Sequence, residues 1–304
     1  MNKLLTKQSL NKNISKEEFI EDIICLFQNM KEVYGMYDYF GADKFKTAYK
    51  NIIVYLNNES QFDFEKTLQT LKNELNFIKD GHLFIGEREK NFAKFDYAIR
   101  YSHYKGIPLI DCKKFYYDNE TEKQQLEDFS KKGSEYKNDE PLILDFRGNE
   151  GGSTNYIYYF LLGLLGVDDV GYSCRYEQRC SELFLEWLKR ENCEWNPLDE
   201  ASVSEEYIPT LPNTKKIYVL MDELTASAAE EGIAFLKNIE NVTIVGEHSA
   251  GCGSCGNCMD FYLPNSHLKV YFGTGLVLYE GTINIDAEGG FKGDISYEEF
   301  ETLF

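Results

Sequence analysis

The order of apolar patterns predicts an α/β fold: a parallel-rich sheet with flanking helices, preceded by an N-terminal helical domain. Three observations carry this. Short apolar runs at PLILDF (141–146), KIYVLMD (216–222) and VTIVGE (242–247) are bounded by polar or turn residues, as strands buried on both faces are. Helical patterns at 153–165 and 227–239 lie between them, so strand and helix alternate. Upstream, residues 15–80 read as helical.

In the helical part, Ser15 followed by Glu18 is a capping-box pattern, and Phe19, Ile23, Leu26, Phe27 and Met30 trace one apolar face. A further helix is expected through Leu68, Leu71, Leu75 and Ile78, stopping at Asp80-Gly81. The expected division is therefore a helical domain at 1–80 and an α/β domain at 81–304. Residues 167–212 read as an insertion, rich in charge and aromatics (Phe184, Trp187, Trp195) and holding Cys174, Cys180 and Cys193. It is either an amphipathic lid or a solvated excursion with one packed face.

The 304 residues are long enough to bury a sizeable core, and 43% hydrophobic with 15% aromatic residues fits a packed globule. A formal net charge of -19 repels phosphate backbones and anionic lipid, which argues against nucleic-acid and membrane partners. The N-terminus has only Leu4 and Leu5 where a signal peptide needs an apolar core, so the sequence as given reads as soluble and cytoplasmic, a trimmed leader aside. The eight cysteines then read as reduced thiols.

In parallel sheets, sites gather at the carboxyl ends of the strands. After PLILDF comes RGNEGGSTN (147–155), whose glycines let the backbone turn tightly and point amides at a ligand. After KIYVLMD comes ELTASAAEEG, leading into a helix with Ala229, Gly232, Ile233, Leu236 and Ile239 toward the sheet. Ser227 would sit at the amino end of that helix, where free amides and the helix dipole stabilise an alkoxide or an oxyanion. Ser227 or Thr225 could equally cap the helix.

These residues resemble a known family. LILDFRGNEGG resembles the D-x-R-x-N-x-G-G signature of the C-terminal processing, or tail-specific, proteases, whose relatives include the tricorn protease core. TASAAE (225–230) resembles the family's S/T-A-S-A-S-E, and VGEHSAG (245–251) its V-G-E-x-x-x-G, in the same order and with similar spacing. The resemblance implies a ClpP/crotonase-like catalytic domain and a serine peptidase acting on peptide or protein substrates without a cofactor. It makes Ser227 the nucleophile. The amide of Ala228, with that of Gly151 or Gly152, would form the oxyanion hole, and Asp145, Arg147 and Asn149 would support the glycine loop. The span 83–140 is short and shows no carboxylate-binding loop, so no PDZ domain is expected.

The base departs from the Ser-Lys branch of that family. Its lysine, in an F-G-K-G turn, aligns with Cys252 in AGCG, and a thiol cannot serve as an amine base. The branch resembling the tricorn core uses a histidine after the helical region. IKDGHLFIG (78–86) resembles its D-G-H motif, which makes His82 the implied base; an imidazole with a pKa near ~6.5 suits the task. Glu288, in AEGGFKGDI, matches the late E-G-x-G-x-x-P-D segment as the residue that orients the imidazole, although Gly293 replaces the proline. Asp80 competes for that role, and His248 is an alternative base. His103 and His267 read as surface or packing residues.

Two readings from other classes stand beside the peptidase. One is a catalytically inactive binding protein on the same scaffold, taking a peptide or an apolar small molecule. The other is a metal site at Cys252, Cys255 and Cys258, with Cys193 or His248 as fourth ligand. The peptidase is preferred because Ser227 and His82 are both present, so no metal ligand is assigned.

Overall fold

The computed structural model describes residues 9–87, 95–138, 141–191 and 203–304. In chain order it begins with helices α1 (Lys16–Val33), α2 (Tyr37–Phe40), α3 (Ala42–Asn58) and α4 (Phe64–Glu74), then strand β1 (Phe84–Gly86). Strands β2 (Ile99–Tyr104) and β3 (Ile107–Cys112) follow, then α5 (Glu120–Lys131), β4 (Leu142–Asp145) and α6 (Asn155–Leu165). Next come β5 (Cys174–Gln178), α7 (Glu182–Arg190), β6 (Val203–Glu206), β7 (Ile217–Leu220), α8 (Ala228–Lys237) and β8 (Val242–Val245). The chain ends with β9 (Cys255–Tyr262), β10 (Lys269–Tyr279), α9 (Ile285–Glu288) and α10 (Tyr297–Glu301).

Contacts divide the chain into two compact units, one of Met1–Lys90, Tyr176–Ser204 and Cys255–Val277, the other of Asn91–Arg175, Glu205–Ser254 and Leu278–Phe304. The pairing that joins distant pieces of the first unit is antiparallel: β1 lies on β10 with Phe84 opposite Tyr271, and β10 on β9 with Phe272 opposite Met259. The expected insertion at 167–212 is shared between the units, and its Cys193 and Trp195 lie outside the described residues.

The second unit holds the sheet β2-β3-β4-β7-β8. Its β3, β4, β7 and β8 run parallel, and β2 is antiparallel at one edge. The strand runs read from the sequence are buried on both faces because alternate residues enter different cores. Leu142, Leu144, Ile217 and Val219 join a large core that includes Ile157, Phe160, Ile233 and Leu236 of α6 and α8. Ile143, Tyr218, Leu220 and Val245 meet Phe300 of α10 on the other face.

In the first unit, α1 starts at the predicted capping box: the Ser15 N–H donates to the Glu18 carboxylate at 2.7 Å, and the Glu18 N–H to Ser15 Oγ at 3.2 Å. Its predicted apolar face is buried. Buried Asp22 accepts the N–H groups of Asn265 and Ser266, each at 2.8 Å, which ties α1 to the β9–β10 turn. Helix α4 stops at Glu74, short of the expected Asp80, although Leu75 and Ile78 remain buried. The residues after it turn instead of continuing, and this frees Asp80 to point inward. Helix α7 buries Leu183, Phe184 and Leu188. No described helix is long and apolar enough to cross a membrane.

Candidate active site

Because β4, β7 and β8 are adjacent and parallel, the three sequence motifs emerge at one edge of one sheet. The first is the loop after β4. Asp145 accepts a bidentate pair from Arg147, Nε at 2.8 Å and Nη2 at 2.5 Å, and this pairing keeps the guanidinium firmly charged. Asn149, fully buried, ties the loop down: its Nδ2 donates to the Cys112 carbonyl (3.0 Å) and its Oδ1 accepts the Gly151 N–H (2.9 Å). Its own carbonyl accepts the Ala226 N–H at 2.8 Å, which joins this loop to the next. Asn149 thus holds the glycine loop, while Asp145 and Arg147 pair with each other at its start.

The second loop carries Ser227. It is the N-cap of α8 with φ 53 and ψ -122, a left-handed conformation that costs an L-residue roughly 1–3 kcal/mol. Such a strand-to-helix elbow is the arrangement that presents a nucleophilic serine, and a plain cap has no need of it. Gly151 packs directly against the elbow. A Cβ there would lie 2.8 Å from both the Ala226 oxygen and Ser227 Cβ, and 3.0 Å from the Ala228 nitrogen.

Glu230, which the sequence reading did not single out, holds the elbow. Fully buried, its carboxylate accepts the N–H groups of Ser227 (3.0 Å), Cys252 (2.9 Å) and Gly251 (2.8 Å), and the Ser249 hydroxyl (2.6 Å). One side chain thus fastens the serine turn to the third loop. The S-x-x-E spacing of Ser227 and Glu230 is the signal that could have found it.

The amides divide between two roles. The Gly151 N–H is spent on Asn149, so it is not an oxyanion donor in this structure. The N–H groups of Gly152 and Ala228 have no acceptor among the described residues, and Gly152 is exposed with φ +132. These two are the available pair.

In the third loop, Cys252 stands against the elbow, as its alignment with the family lysine implied. Its half-buried thiol meets the Ser227 N–H and the Glu230 carboxylate, and desolvation with the Glu230 and Asp286 charges pushes its pKa far up, so it stays a thiol. His248 is exposed, and its Nδ1–H donates to the Ser249 carbonyl at 2.8 Å. Of the cysteines in the knuckle reading, Cys255 is buried and Cys258 half-buried on β9, and Cys193 lies outside the described residues. No group of three metal-ligating side chains is gathered among the described residues.

His82 lies in the first unit, nearly buried, with its ring beside Tyr271. Asp80 accepts the His82 N–H at 2.8 Å, and its Oδ1 is 3.8 Å from the imidazole Nδ1, an ion-pair distance. Glu288, by contrast, is exposed at the end of α9.

A parallel α/β sheet with a serine elbow and free amides at its carboxyl edge is the architecture of α/β enzymes with a serine nucleophile. The chain belongs to peptidase family S41, whose model matches residues 106–296, and members of that family are serine hydrolases. Among solved structures, a candidate peptidase from Parabacteroides merdae superposes with TM-score 0.62 at 15% identity, over 95% of this chain and 93% of that one. A lipoprotein from Streptococcus agalactiae gives 0.54 at 16% identity, over 98% of both chains. The photosystem II D1 C-terminal processing protease gives 0.49 at 12%, over 94% of both. No curated protein matches the chain in sequence. The first two likenesses, at identities this low, show a shared fold alone.

Proposed function

We propose that this chain is a serine peptidase that cleaves peptide bonds through an acyl-enzyme on Ser227. The observation that carries the reading is the elbow itself: a left-handed serine at a helix N-terminus, held by Glu230 and packed on Gly151. Family membership supports peptide or protein substrates.

In this reading His82, as a neutral imidazole, takes the serine proton as Oγ attacks the scissile carbonyl. The developing oxyanion accepts the amides of Ala228 and Gly152. Imidazolium then protonates the leaving amine, and water, deprotonated in turn by His82, hydrolyses the ester. We assign the orienting carboxylate to Asp80 in place of Glu288, because Asp80 already faces His82. His248 is the alternative base.

The test is fluorophosphonate labelling. Wild type should label at Ser227, and both Ser227→Ala and His82→Ala should abolish labelling, whereas His248→Ala should retain it. Asp80→Asn should slow labelling by about a hundredfold or more, in the direction of other disrupted triads, and Glu288→Gln by less than about threefold. A folded wild type that never labels is the result expected of a non-catalytic binding protein.

A further inference from the structure

We propose that Tyr34 is a positioning residue for the base, its hydroxyl fixing the Asp80 carboxylate that faces the His82 imidazole. The inference rests on the reading of His82 as the base. Tyr34 is the C-cap of α1, its N–H bonded to the Met30 carbonyl at 3.1 Å. The ring is fully buried between Phe45 and Phe272, at centroid distances of 6.2 and 5.2 Å, so it has little freedom to swing. From there the hydroxyl donates to Asp80 Oδ2 at 2.9 Å.

The two carboxylate oxygens therefore divide their work. Oδ2 is anchored by Tyr34, which leaves Oδ1 for the His82 N–H and the imidazole edge. Cys255, buried at the start of β9, adds its S–H to the same carboxylate. This gives one of the three closely spaced cysteines a structural task that involves no metal. Lys72 and Asn76 line the cavity that Asp80 borders, and His82, Tyr34 and Cys255 act on the carboxylate itself.

A wholly buried carboxylate without donors would take a proton near neutrality and leave the imidazole without a counter-charge. Burial pushes Asp80 up, and His82, Tyr34 and Cys255 pull it back down. Removing the Tyr34 hydroxyl removes part of that restraint. The Asp80–His82 pair then takes up its proton at higher pH, and the form with carboxylate and neutral imidazole is lost sooner on acidification.

The experiment is the pH profile of the fluorophosphonate labelling rate for wild type, Tyr34→Phe, Cys255→Ala and Cys255→Ser. Tyr34→Phe should move the acid limb to higher pH and lower the plateau by several-fold. Cys255→Ala should do the same more weakly, and Cys255→Ser, which keeps a donor, should restore the profile. In an Asp80→Asn background, Tyr34→Phe should change the rate by less than twofold, and this readout serves even if the single variant is poorly stable. An acid limb unmoved in a folded Tyr34→Phe protein overturns the proposal, as does an undiminished Tyr34 effect in the Asp80→Asn background. Labelling that survives in His82→Ala overturns the base assignment itself, and with it anything for Tyr34 to position.

Discussion

Glu230→Gln is the most informative single change, because one carboxylate holds two of the three loops. Four donors converge on it: the Ser249 hydroxyl and Gly251 N–H on Oε1, and the N–H groups of Ser227 and Cys252 on Oε2. An amide has only one acceptor oxygen, so one pair must face an NH2 group. The less costly flip puts nitrogen at Oε1, where the Ser249 hydroxyl can rotate to accept and only the Gly251 N–H is orphaned. A buried orphan costs about 1–3 kcal/mol, and losing the charge on the remaining bonds adds about 1 kcal/mol each. The sum is about 3–5 kcal/mol, which at a urea slope of about 3 kcal/mol/M lowers the unfolding midpoint by about 1–1.7 M. The elbow would lose its tether in the folded state as well, so the labelling rate should fall at least about tenfold. Urea unfolding and fluorophosphonate labelling read the two effects separately. A midpoint within about 0.3 M of wild type, with labelling within about twofold, would refute the claim that Glu230 holds the site.

Gly151→Ala should fold yet lose about 10²–10³ in labelling rate, because its Cβ would push on the nucleophile's own backbone and on the Ala228 amide. Gly256→Ala, where a Cβ meets nothing within 4 Å, is the matched control and should label like wild type. Burial pushes the Glu231 carboxyl above its ordinary 4.5, with Tyr172 and Thr154 partly offsetting it. A raised carboxyl favours folding below pH 4.5 and loses that contribution as pH rises through the raised value. Glu231→Gln should therefore melt higher than wild type at pH 7 to 8, the gap closing toward pH 4.5, and a gap that is constant with pH would contradict the assignment.

Much of the sheet was legible because its signals are local. Strands β4, β7 and β8 and helices α6 and α8 lie within a few residues of the predicted runs, since continuous apolar segments separated by turn residues leave few alternatives. The elbow was legible as a motif, and the fold joins it to Cys252 through the Glu230 carboxylate, which accepts the N–H groups of both Ser227 and Cys252. Glu230 was missed because a glutamate in a first helical turn usually faces solvent; only the fold shows two loops converging on it. The competition between Asp80 and Glu288 could not be decided from spacing either. Asp80 read as a helix stop, but α4 ends at Glu74 and the turn that follows carries the carboxylate inward to Tyr34 and His82.

The sequence by itself determined the α/β class, the order of the three loops, and Ser227 as the residue at the helix amino end. Each is a property of neighbours along the chain: apolar periodicity, turn chemistry and motif spacing. Tertiary structure alone decided which amides keep no acceptor among the described residues and which carboxylate meets His82. Those depend on hydrogen-bond partners set by residues far apart in the chain. Asn149 takes the amide of Gly151 two residues on, but it is held in place by its bond to the Cys112 carbonyl, 37 residues away in the chain.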